Sequence, residues 1–491
     1  MGMPVVAPPG WSLEARTARD TQGFVVSPFA HLPVAVALFL DAGKARRGWL
    51  RAVRQAAPAT RADGQQQGRS AAIAFTATGL AALGLGEAEL RGFERPFWEG
   101  MHHPDRRRRL GDLPGDGGAT TLVEGGPRWS GNPKGADPTP LTVHALLVLY
   151  AADAADLDAW RVEVESVLDA QSVSAACELP LSLRFDRHGV AREHFGFADG
   201  LSQPIPYGDA VRRKDSGPQP DPWHGVPLGD FLFGHPNSHN EPSPGPAVEE
   251  KSAAGDATGF FDLGRNGSYL VVRELHQDVA AFWRSMEAAA AALGDPTKDG
   301  RWVAERAVGR EMDGDLLLPG GKTLPRVPYA PHGPDNAFGF RATDRHGFGC
   351  PVGSHVRRSN PRDGLAPDDE SAPDLLKSAN NHRLLRRGRK FGDDFPADGQ
   401  DDGKTRGLLF MALNTDITRQ FEFVQQTWIL NRAFATLQGE TDPLCGPAGP
   451  FTVPDDPLRW RFGVETFIRF AGGEYFFLPG MAALDWLEAR P

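Results

Sequence analysis

Cysteine is scarce. Only Cys177, Cys350 and Cys445 occur in a chain of 491 residues. Three scattered thiols cannot build a disulfide framework, which excludes a small secreted disulfide scaffold and fits a reducing compartment. Long apolar runs are missing too. The stretch Leu32-Pro-Val-Ala-Val-Ala-Leu-Phe-Leu40 is far shorter than the roughly 20 residues a membrane-spanning helix needs. The N-terminal residues hold no basic region followed by an apolar one, so no secretory leader is expected. Val6 stands where N-myristoylation requires Ser or Thr. Positive charge is in deficit: the formal net charge of −10 repels nucleic acid and anionic membrane. The expectation is a cytoplasmic protein with no nucleic-acid or membrane partner.

At this length a single core stops growing, so two modules are expected. Apolar runs at 33–40, 71–76, 142–150 and 177–185 read as strands. Helical spacing covers 42–56, with Trp49, Leu50 and Val53 on one face, and 154–170. A strand, helix, strand, then strand, helix, strand order predicts a ferredoxin-like α+β module over 1–203. Residues 204–262 are proline-dense and polar and predict a linker or surface excursion. A second module over 263–491 repeats the order: strand 267–273, helices 277–293 and 301–309, strand 406–414, helix 417–432, and strands 463–470 and 474–478. The arginine-rich residues 93–129, with Arg106-Arg-Arg-Arg109 and Pro127-Arg-Trp129, predict a solvated or salt-bridged loop. His235 and His239 lie four apart, but Pro236 between them predicts a loop and no metal site.

Four segments carry candidate chemistry. Cys350-Pro-Val-Gly-Ser-His355-Val-Arg-Arg-Ser-Asn-Pro-Arg362 sets one imidazole among three arginines. That combination suits a metal whose carrier bears carboxylates, or else a solvated turn. In Gly196-Phe-Ala-Asp199-Gly200 the glycines let backbone approach a flat ligand closely; an Asx-turn is the alternative. His194, nearby, is a rival base. His382-Arg-Leu-Leu-Arg386-Arg387-Gly-Arg389 offers three competing cations. Asp416, after the strand ending at Asn414, is either a helix N-cap or a partner for an imidazole.

Together these segments resemble the dye-decolourising peroxidases. Cys350, Pro351, His355, Arg357, Asn360, Pro361 and Arg362 stand where that family's haem motif wants them, with Ser354 in place of the usual Ala. Phe195-Gly-Phe-Ala-Asp199-Gly-Leu-Ser-Gln-Pro204 resembles its distal motif, and the Arg386 segment follows in order. The resemblance implies two ferredoxin-like modules of the dimeric α+β barrel type, with haem in the second. It implies one haem b with His355 as the axial iron ligand; the covalent signature C-x-x-C-H is absent, so attachment is non-covalent. Arg362 pairs with a propionate, Asp416 backs His355, and Asp199 and Arg386 activate peroxide. Cys350 is a rival thiolate ligand. The implied partners are hydrogen peroxide and a bulky organic electron donor such as a dye or phenol, with a homo-oligomer left open. The competing readings are a haem carrier or deferrochelatase, which would not need Asp199 and Arg386, and chlorite-dismutase-like chemistry, which does not use a distal Asp.

Overall fold

The computed structural model describes residues 11–64, 68–112, 141–186, 189–213, 222–251, 257–325, 336–455 and 458–490. The N-terminal half supplies strand β1 (Val34–Asp41), helix α1 (Trp49–Ala56), strands β2 (Arg69–Phe75) and β3 (Ala145–Ala151), helix α2 (Ala154–Ala170) and strand β4 (Ser174–Ser182). The C-terminal half supplies β5 (Ser268–Gln277), α3 (Val279–Leu293), α4 (Gly300–Val308), α5 (His355–Ser359), β6 (Leu385–Arg386), β7 (Arg389–Phe391), β8 (Gly407–Asn414) and β9 (Ile468–Leu478).

All pairings among these strands are antiparallel. The first sheet runs β2-β3-β1-β4. The second runs β9-β5-β8, with β6 and β7 sharing the far side of β8. Each is the ferredoxin-like arrangement, as expected. The edges then join: Phe477 of β9 lies opposite Phe75 of β2, and Lys390 of β7 opposite Ser182 of β4. In both junctions the fourth strand of one module meets the second position of the other. Two four-stranded sheets thereby close into one barrel, which leaves no free edges.

Closure explains why the strand sequences are apolar on both faces. Along β1, Val36, Leu38 and Leu40 pack under the helices, while Ala35, Ala37 and Phe39 fill the interior. Interior residues come from both halves, Val148 and Phe39 meeting the same core as Val272, Met411 and Phe476.

The proline-dense stretch 204–262 is more than a surface linker. Val226, Leu228, Phe231 and Leu232 are buried in the interior core. Extended, proline-punctuated chain can bury alternate side chains as a strand does. Within the arginine-rich stretch, Pro104–Leu110 is a helix, and buried Arg106 bridges Glu99 (3.3 Å) and Glu422 (2.8 Å); residues 113–129 lie outside the described residues. His235 Nε2 donates to Asn266 Oδ1 (2.7 Å), an ordinary structural bond. Among the described residues no helix is long and apolar enough to cross a membrane.

Candidate active site

His355 opens α5, directly after the turn Pro351–Ser354. Its Nδ1 lies 2.9 Å from Oδ2 of Asp442. Asp442 is buried, and its other oxygen accepts the amides of Leu444 (2.9 Å) and Cys445 (2.8 Å). The carboxylate is therefore aimed by its own loop. The Cys445 thiol completes a group whose donor atoms all lie within 4.8 Å of one another. Burial disfavours a charged His355, but the charges and hydrogen bonds of Asp442 and Cys445 together outweigh it and hold the imidazole well above its usual range. Burial likewise opposes the charged Asp442, and His355 with the amides of Cys445 and Leu444 together hold that carboxyl below its usual range.

Buried Arg358 fastens the Asp442 loop to α5. Its guanidinium donates to the carbonyls of Gly353 (3.1 Å), Trp428 (2.8 Å), Asn431 (3.0 Å) and Glu440 (3.0 Å). Arg357 does similar work, donating to Asp344 O (2.8 Å) and Cys350 O (3.0 Å). Both arginines thus staple backbone. Cys350 is buried beside Ser354 Oγ (3.2 Å), and burial pushes its thiol up to about 11. A thiol held protonated is no thiolate ligand.

Asp416 does not back His355. Its oxygens accept the backbone N–H (2.7 Å) and Nε (3.1 Å) of Arg419, which makes it a cap for the helix over 418–429. The carboxylate that meets His355 is Asp442, 87 residues away in sequence. Nothing local in Thr441-Asp442-Pro443 separates it from any loop Asp, so the sequence reading missed it. The helix after Asp416 is also wound more widely than expected, with Glu422 N donating to Ile417 O and Leu430 N to Gln425 O.

Asp199 ends a small hairpin that turns at residues 194–196. Its N–H donates to Ala191 O (2.8 Å), and Ala198 N–H to Met312 O (2.8 Å). The side chain is exposed and accepts from Gly200 N–H (2.6 Å). The loop that follows, Leu201–Gln203, is gripped by guanidinium groups. Arg386 Nη2 donates to Leu201 O (2.6 Å), Arg383 Nη2 to Ser202 O (2.7 Å) and Arg362 Nη2 to Ser202 Oγ (3.2 Å). The structure therefore brings the Asp199 loop, Arg386 and Arg362 together. Arg383, unnoticed in the sequence, joins them. Arg362 is buried, with Nη1 also on the carbonyls of Asn336 (2.8 Å) and Phe338 (2.9 Å). Seven residues after His355, it links that segment to the Asp199 loop.

The strand register selects Arg386 over its neighbours. Leu385 enters the interior core, so Arg386 points to the opposite face. Arg387 is buried on Phe24 O (2.9 Å) and Val25 O. Arg389 is buried on the carbonyls of Leu32 (2.7 Å), Pro28 (2.9 Å) and Phe29 (2.8 Å). The rival base His194 has Nε2 on Phe391 O (2.9 Å), and burial lowers its pKa to about 4.

The donor set fits a haem. One imidazole has its second nitrogen committed to a buried carboxylate, as metal-binding histidines commonly do. Among the described residues Arg386 is neutralised by no carboxylate, and Arg362 stands within the same loop cluster.

Comparison with known proteins agrees with the fold. No family model matches the chain. The multifunctional dye peroxidase DyP2 of Amycolatopsis sp. is 31% identical over 366 residues, 70% of this chain and 71% of that protein. A dye-decolorizing peroxidase of Mycena epipterygia is 25% identical over 457 residues, 85% of this chain and 76% of that protein. The crystal structure of a DyP-type peroxidase from Anabaena sp. superposes with a TM-score of 0.71 at 23% identity, over 96% of this chain and 95% of that one. These relatives define the class, a peroxidase and hence an oxidoreductase. The chain belongs to the dye-decolourising peroxidase family.

Proposed function

We propose that the protein reduces hydrogen peroxide and oxidises bulky dyes and phenolic compounds by single-electron steps, using one non-covalent haem b. Bound haem supplies the redox-active iron at which the O–O bond is broken and through which organic donors are oxidised. His355 would hold the iron through Nε2, since Nδ1 is taken by Asp442. The buried carboxylate would make the imidazole a stronger electron donor, which favours O–O cleavage. Arg362 would hold a propionate. Asp199 takes the proton from the near peroxide oxygen and delivers it to the far one. Arg386 stabilises the negative charge that grows on the departing oxygen. Two protons and two donor electrons per peroxide then yield two waters. Residues 1–203 contribute the acid/base, residues 263–491 the iron ligand, and 204–262 the covering segment between them. Three free cysteines support a cytoplasmic setting.

The observation that carries this reading is the convergence of Arg386 on the Asp199 loop through Leu201 O at 2.6 Å. A haem carrier has no use for it. Arg386→Leu should keep its haem yet react with peroxide about 10²–10³-fold more slowly, a loss of roughly 2.7–4 kcal/mol. Stopped-flow mixing of haem-loaded protein with peroxide, with dye bleaching in parallel, decides it. Unchanged rates in the variant, or no dye oxidation by the wild type, would favour a haem-handling role instead.

A further inference from the structure

The hairpin carrying Asp199 is closed around one side chain the mechanism does not use. Glu193 accepts the amides of Phe195 (2.9 Å) and Phe197 (2.8 Å) through its two carboxyl oxygens. Its own backbone completes the turn: Glu193 N–H donates to Phe197 O (3.1 Å), and Gly196 N–H to Glu193 O (3.0 Å). Gly196 occupies the turn at φ +102°, where an added Cβ would meet Met312 Cε at 2.8 Å. Two residues on, the hairpin's bonds to Ala191 and Met312 fix the backbone of Ala198 and Asp199. The carboxyl is also tied across the barrel halves, because Gln277 Nε2 at the end of β5 donates to it at 2.6 Å. Behind the turn, Phe195 stacks on Phe282 of α3 with ring centroids 4.3 Å apart.

We infer that Glu193 is a positioning residue for the distal acid/base: its carboxyl sets the Phe195–Phe197 turn and, through Gln277, registers Asp199 against the module that carries His355. The inference rests on the assignment of Asp199 given above. Two backbone amides and one side-chain amide converge on a single acceptor. Removing it releases the turn that Asp199 follows while leaving the Asp199 side chain and the haem-ligand segment untouched. A misplacement of about 1 Å at a reacting group can cost on the order of 10²-fold in rate.

The test is a double-mutant cycle on haem-loaded protein with Glu193→Ala, Asp199→Asn and the pair. The readouts are the bimolecular rate with hydrogen peroxide per bound haem, the KM for a dye donor and the haem content. Glu193→Ala should lower the peroxide rate about 10- to 100-fold with haem content and donor KM unchanged. The pair should be no slower than Asp199→Asn alone, because a group that acts through another loses its effect when that other is removed. Glu193→Gln keeps one acceptor oxygen and should lose less; it carries the same comparison if the alanine variant does not take up haem. Wild-type rate in Glu193→Ala, or losses that multiply in the pair, would overturn the inference while leaving Asp199 in place. Wild-type rate in Asp199→Asn would overturn the assignment beneath it.

Discussion

Asp442→Asn separates the proximal partner found in the structure from the one expected in the sequence. The substitution keeps an oxygen for the amides of Leu444 and Cys445, so the loop should stay folded. What changes is the group facing His355 Nδ1. A carboxylate 2.9 Å away accepts the ring proton; an amide NH2 turned to the same place is a second donor. The imidazole then escapes the clash by moving its proton to Nε2, the atom offered to iron. Loss of such a partner typically costs 10- to 100-fold in metal affinity or activity, about 1.4–2.7 kcal/mol. Haem titration of apoprotein, followed by absorbance, should show that weakening. Asp416→Ala is the control. It removes a cap from Arg419 N–H and should cost about 0.5–2 kcal/mol of stability with haem affinity unchanged. Wild-type haem affinity in Asp442→Asn together with a loss in Asp416→Ala would refute the reasoning.

The base must be unprotonated to take the peroxide proton, so peroxide activation should fall away in acid. A limb on the acid side does not by itself identify the base, because burial brings the rival His194 to about 4. Rates from pH 3 to 8 should therefore lose the limb in Asp199→Asn and keep it in His194→Ala; the reverse would show His194 to be the base. Arg389→Met should destabilise the fold by at least about 3 kcal/mol in denaturant unfolding. It leaves the carbonyls of Pro28, Phe29 and Leu32 without their buried donor, at about 1–3 kcal/mol each. A change under about 1 kcal/mol would mean that water replaces the guanidinium.

What was legible in the sequence was local. The apolar runs of β1 and β3 and the amphipathic span 154–170 appear in the structure within a few residues of where periodicity put them. His355, Asp199 and Arg386 sit in short segments whose neighbours define them. What was not legible depends on distant chain. Asp442 is a partner only because Arg358 draws the 428–440 segment onto α5. The strand β6–β7 escaped notice because it reads as charged. Its interior residue Arg389 satisfies carbonyls of the N-terminal segment instead of packing as an apolar side chain. The paired residues 204–262 looked like a linker because proline density says nothing about Phe231 and Leu232, which the barrel buries. Closure of two sheets through single residue pairs at Phe477 and Lys390 leaves no sequence pattern at all.

The central claim is that His355 holds the iron of a catalytic haem. The most direct measurement is reconstitution of wild-type and His355→Ala apoprotein with haem, recording the absorption spectrum and peroxide-dependent dye bleaching of each. Wild type should take up one haem and bleach the dye, while His355→Ala should bind haem weakly or with a shifted spectrum and leave the dye unbleached. Full haem uptake with an unchanged spectrum in His355→Ala would contradict it.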